Sequence, residues 1–294
     1  MLQTLLVPVD FTVHTARAVN YAIQIAQRSG ATITILSADH RQPETDDNLL
    51  HLLQVADDLA HHHFTGIIQK IHPTETLTQI KARYHYIPSV ETAAIVEEVK
   101  KHHFDLLVVS AKKRAIFSEL SAGNFIRDFF RHLFFGNMLE TLISTPLPCP
   151  LLIVPENCRY ANINTIMYAT NLEPNDYTMQ KLQRFTNAID AFINFVHVMT
   201  EETRSYNNRL AHFCTKADDL FGAANYAIAE LNHHDVDAAL SKYLQTNTQT
   251  NMVAMVERTN KARLDSWMLN SITRQMAYKA PVPVMILHDT ADEL

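Results

Sequence analysis

Residues 4–12 read TLLVPVDFT, and residues 165–173 read TIMYATNLE. Each begins as a short apolar run without a polar face, the pattern of a strand buried on both sides in a parallel sheet. The segments downstream of the two runs also correspond. A helical stretch leads to a second apolar strand, ATITILSADH at 31–40 and AFINFVHVM at 191–199. Another strand comes later, DLLVVSAKKR at 105–114 and TNMVAMVERT at 250–259. Each half closes on a proline-punctuated run, PLPCPLLIVP at 146–155 and APVPVMIL at 280–287. Four landmarks recurring in one order predict two copies of one domain. The copies span 1–156 and 162–289 and are joined through Asn157–Asn162.

In the first copy, Thr12 is placed to cap a helix whose inward face is Ala18, Tyr21, Ala22, Ile25 and Ala26. Gly30 is placed to end it in the left-handed conformation. Strand two is expected over Ala31–Ser37, a helix over 44–63, strand three over Gly66–Ile71, and a helix over Glu91–Lys101. Leu106–Ser110 and Leu151–Val154 read as strands four and five, with helices around 118–134 and 137–144 between them. The second copy reads the same way. Strands are expected at 164–169, 192–198, 224–230, 252–256 and 283–287, and helices at 176–190, 203–221, 235–246 and 270–279. Alternation of this kind predicts a doubly wound parallel α/β sheet in each half.

The 294 residues, 47% hydrophobic, suffice for two cores, and the formal charge of −6 carries no basic block. Nucleic acid is therefore not an expected partner. No apolar run approaches the ~20 residues of a membrane helix, and no secretory leader is apparent, so a cytoplasmic protein without a membrane partner is expected. Cys149, Cys158 and Cys214 show no CxxC spacing. Glycine is scarce, at 5 residues, which leaves little material for a glycine-rich phosphate loop.

The words LLVPVDFT, QIAQRSGATITIL, DLLVVSAKKR, and FFGNMLETLI followed by PCPLLIVP resemble the universal stress protein family in its tandem two-domain form. The resemblance implies, in each half, a five-stranded parallel sheet of the Rossmann-like, adenine nucleotide alpha hydrolase-like class. It also implies that the last strand pairs with another copy. Two copies in one chain would then form an intrachain pseudo-dimer, and a further homodimer stays open. In the nucleotide-binding branch, ATP lies across the carboxyl ends of the strands, held by a first-strand Asp, the end of strand two and a loop G-x2-G-x9-G-[ST].

Carried onto this chain, Asp10 matches the acid, Val9 precedes it, and Ala38 ends strand two. The loop departs from the pattern. Ser110 and Lys113 stand at its first two glycine positions, and the closing pair is either Gly123-Asn124 or Gly136-Asn137. The second alternative is preferred, with 114–135 as an insertion. The implied ATP site in the first half is therefore weakened; Lys112, Lys113 and Arg114 read either as a solvated surface, the commoner case, or as side-chain donors in place of the lost glycines. In the second half Asn171 replaces the acid, and Glu257, Asn260 and Asn270-Ser271 keep the loop spacing without glycine. Glu257 beside a phosphate would repel it, so this half is expected to be a structural mate.

Asp10 has a second reading as the helix cap after strand one. The His61–His63, His102-His103 and His233-His234 runs, drawn from 16 histidines, predict no metal site, because neighbouring imidazoles on a helix diverge. FIRDFFRHLFF at 125–135 reads as a helix packing on its own protein rather than on a membrane. No nucleophile with a base beside it is apparent. The expectation is a non-enzymatic stress-response protein. The alternatives are a structural or protein-interaction module that binds no nucleotide, and a slow ATPase, which the lack of a general base counts against.

Overall fold

A computed structural model describes residues 1–38, 48–60, 64–111, 138–199, 206–258, 273, 276–278 and 280–289. Its ten strands form one continuous sheet in the order β3-β2-β1-β4-β5-β10-β9-β6-β7-β8. In the first half, β1 is Thr4–Pro8, β2 Thr32–Ser37, β3 Ala82–Tyr86, β4 Leu106–Ser110 and β5 Leu151–Val154. In the second, β6 is Thr165–Thr170, β7 Phe192–Met199, β8 Tyr226–Asn232, β9 Met252–Glu257 and β10 Val284–His288. Each half alone runs third-second-first-fourth-fifth, the doubly wound order, and all its neighbours are parallel. The two five-stranded sets are not separate sheets. β5 and β10 pair antiparallel, with Leu151, Leu152 and Ile153 opposite Ile286, Met285 and Val284.

The helices are α1 (Val13–Ser29), α2 (Leu49–Ala60), α3 (Phe64–Ile71), α4 (Thr74–Gln79) and α5 (Thr92–His102). The described part of α6 is 138–144. In the second half α7 is Asp176–Ile189, α8 Tyr206–Phe221 and α9 Val236–Thr246. Because strand side chains alternate, β1 sends Leu5 and Val7 into one core and Leu6 into the other, and β10 sends Met285 and Leu287 one way and Val284 and Ile286 the other. The first core takes α1, α2, α3, α7 and α8, and the second takes α5, α6 and α9. Both cores contain residues of both halves.

Polar contacts also join the halves. Tyr21 donates to the Arg159 carbonyl (2.9 Å), and Gln24 donates to that of Ala161 while accepting from the Ile163 amide. Arg28 donates to the carbonyls of Ile163 and Asp190. The expected linker is thus laid against α1. From the other side His288 of β10 meets the Ile143 carbonyl at 2.9 Å, and Lys181 of α7 donates to that of Pro148 at 2.6 Å.

Two sequence expectations change. Gly66–Ile71 is not strand three but lies in α3, and the third strand is Ala82–Tyr86. Phe64, Ile67, Ile68 and Ile71 stand at helical spacing, which the run of adjacent isoleucines obscures. Thr12 is the N-cap position of α1, but its hydroxyl makes no cap bond and donates instead to Asp10. The expected helix at 118–134 lies outside the described residues.

Candidate functional site

In a doubly wound sheet, ligands bind beyond the carboxyl ends of the strands where the order reverses. In the first half that point lies between β1 and β4. Val9 is buried there, its amide donating to the Leu36 carbonyl (2.8 Å). The parallel registers put Asp10 beside the end of β2, where Ala38 stands, and Val9 beside Ser110 of β4. These four predicted residues therefore share one edge. Lys113, Gly136 and Asn137 lie outside the described residues, as do Gly123-Asn124 and Lys112.

Asp10 has a defined local task. Its Oδ1 accepts from the Thr12 amide (3.1 Å), the Thr12 hydroxyl (2.6 Å) and the Thr15 hydroxyl (3.1 Å). It ties the end of β1 to the first turn of α1, around Phe11 at φ 53°. The second half repeats the turn. Asn171 Oδ1 accepts from the Glu173 amide (3.2 Å), and Leu172 sits at φ 62°.

Beyond β6, β7 and β9 of the second half lies a cavity of about 390 Å³. Val198, Leu240, Met255 and Val256 supply apolar wall, and Thr170, Asn171, Glu173 and Arg258 supply polar groups. Arg258 is the one arginine or lysine among the described lining residues. Its guanidinium stands 3.5 Å from the Glu173 carboxylate, which also accepts from the Asn171 side-chain amide at 2.8 Å. His197 is buried in the wall. Its Nδ1 meets the Thr170 carbonyl at 2.9 Å, which requires the Nδ1–H tautomer, and its ring stacks on Tyr206. Tyr168 is also in the wall, where burial pushes its phenol up to about 12. Apolar walls with a few placed polar groups suit a flat organic ligand with a polar edge.

Of the residues lining this cavity, sequence reading singled out Asn171 alone, and only as a lost acid. Arg258 directly follows Glu257, the residue expected to repel a phosphate, yet Glu257 is buried and not part of the lining. The available signal was position: Asn171 matches Asp10 after strand one, and Arg258 follows strand four. The three cysteines are free thiols, and burial pushes that of Cys149 up to about 12. No helix among the described residues is long and apolar enough to cross a membrane.

The fold recurs in solved structures. A universal stress protein from Archaeoglobus fulgidus DSM 4304 superimposes with a TM-score of 0.62 at 12% identity, over 99% of this chain and 100% of that one. A putative universal stress protein from Pseudomonas aeruginosa UCBPP-PA14 gives 0.54 at 14% identity, over 98% and 93%. The cytoplasmic domain of a prokaryotic cation chloride cotransporter gives 0.51 at 11%, over 99% and 98%. At these identities the likeness is one of fold. No curated protein sequence matches the chain significantly. The model of the universal stress protein family matches residues 1–155, more than half of the 294, and the chain belongs to that family.

Proposed function

We propose that this is a cytoplasmic, non-enzymatic stress-response protein that binds a small adenine-nucleotide-type ligand at the carboxyl edges of its half-sheets. The observation that carries the reading is the cavity of about 390 Å³ beyond β6 and β9, at the point where strand order reverses. The adenine or a similar flat ring would lie against Val198, Met255 and Val256, with Arg258 toward the anionic end. Arg258 would exchange Glu173 for phosphate, a charge-assisted contact. The first half would keep a weakened ATP site formed by Val9, Asp10, Ala38, Ser110, Lys113, Gly136 and Asn137. The β5–β10 pairing supports reading the two halves as an intrachain pseudo-dimer, and a further homodimer would use other faces.

The non-enzymatic reading rests on the lining of the cavity. His197 is its one imidazole among the described residues. No described serine or cysteine lines the wall with it.

A thermal-shift titration with ATP, AMP and adenosine, with and without magnesium, tests the proposal. The expected outcome is a saturable rise in melting temperature, since binding to the native state stabilises it. Arg258→Ala should weaken the phosphate-bearing ligands about tenfold or more, the value of one charge-assisted contact, and spare adenosine. Asp10→Ala should remove only the weaker phase. A flat titration with all three ligands would leave the interaction-module reading in its place, and ATP turnover above the buffer rate would defeat the non-enzymatic part.

A further inference from the structure

We propose that His85, Glu98 and His102 form a binding site for a divalent transition-metal ion of the Zn²⁺ class at the outer edge of the first half-sheet. His85 is on β3, the outermost strand. Alternation along β3 turns Ala82 and Tyr84 into the core containing α1 and α2, and so turns His85 toward α5. Glu98 and His102 lie four residues apart on α5, and so on one face of the helix.

The three side chains converge. Glu98 Oε2 is 3.1 Å from His85 Nε2 and 3.3 Å from His102 Nε2, and all three ligand atoms lie within 4.8 Å of one another. Ligands around a tetrahedral ion with bonds of about 2.0–2.1 Å are separated by roughly 3.3 Å, so two of the edges are already in place. Closing the third needs only a rotation of the half-exposed His102 ring. The Glu98 side chain is 12% exposed, whereas those of His85 and His102 are 40% and 44% exposed. The carboxylate thus sits below two imidazoles that open to solvent, which leaves a fourth position for water.

The donor set selects the ion. Two imidazoles and one carboxylate suit zinc and its neighbours, whereas calcium and magnesium prefer all-oxygen shells. Without metal, the carboxylate accepts hydrogen bonds from the imidazoles. Binding replaces those protons with the ion and needs neutral rings. Adjacent histidines do not chelate together here: His103 is not in the cluster, and the partners of His102 come from β3 and the preceding helical turn. The metal would join edge strand to helix across a gap that no covalent bond spans.

The test uses the full chain, stripped with a chelator and titrated with Zn²⁺ against a chromophoric competitor. One equivalent should bind tightly, and His85→Asn, Glu98→Gln and His102→Gln should each weaken that binding tenfold or more. Co²⁺ in place of Zn²⁺ should give an intense visible band that each substitution abolishes. His102→Gln lies at an exposed helix end, and its circular dichroism and melting temperature in chelator should match the wild type. Absence of saturable Zn²⁺ binding would overturn the proposal. So would three variants that bind as tightly as the wild type, since the ion would then be held elsewhere, for instance by the His61–His63 run.

Discussion

Asp10 and Asn171 occupy the same place in the two halves, one residue before a large apolar side chain at positive φ. That conformation costs an L-residue roughly 1–2 kcal/mol. Phe11 and Leu172, 3% and 1% exposed, offset it by burial. The preceding side chain must then accept from the amide two residues on, and both Asp and Asn can. Asp10→Asn should therefore shift stability by less than ~0.5 kcal/mol in urea unfolding, while Asp10→Ala should cost about 1 kcal/mol. An aspartate at the end of a first strand consequently reads in two ways from sequence, as ligand and as helix cap. The structure instead makes Asp10 the anchor of the turn that precedes α1, whose N-cap position is Thr12, and the ligand titration addresses the first reading. Arg258 was harder to see, because nothing in the local sequence says which of Glu257 and Arg258 faces the cavity.

At the scale of elements, the helix ends carry the clearest expectations. α1 ends at Gly30 with φ 73° and α7 at Asp190 with φ 49°, the same left-handed position in the two copies. A Cβ on Gly30 would meet nothing within 4 Å, so Gly30→Ala should cost about 1 kcal/mol from backbone conformation alone. Asp190→Gly should stabilise by roughly 0.5–1 kcal/mol, because Arg28 bonds the Asp190 carbonyl and not its side chain. Thermal unfolding of both variants checks the pair. Most elements were legible because parallel strands buried on both faces, such as Leu106–Val109, read as unbroken apolar runs. β3 was not. As an edge strand it is ARYHY, with one buried residue, and its polarity conceals it, while the isoleucines of α3 imitate a strand. The same polarity is what brings His85 to Glu98 and His102.

At the scale of the molecule, stability should depend on pH through groups held neutral by burial. Burial lowers His288 to about 4 and also lowers His72. The unfolded chain binds more protons than the native one between about 4 and about 6.5, so their contribution is complete above that window and is lost as pH falls through it. Melting temperature should decline over this range. The decline should be shallower in His288→Gln, which keeps a donor for the Ile143 carbonyl and cannot titrate. Residues 1–156 expressed alone should self-associate, because they would expose β5, buried at every position, as an open apolar edge. Sedimentation against the full chain measures this.

The antiparallel seam between β5 and β10 also fixes direction. Since every other pairing is parallel, all strands of one half point opposite to all strands of the other. The two carboxyl edges therefore open on opposite borders of the sheet, and whatever occupies one mouth cannot touch the occupant of the other. The chain is bipolar: a message between its two mouths would have to cross the seam, through the backbone of β4, β5, β10 and β9 or through the two shared cores, and a partner reading both would have to reach around the molecule or come as two copies.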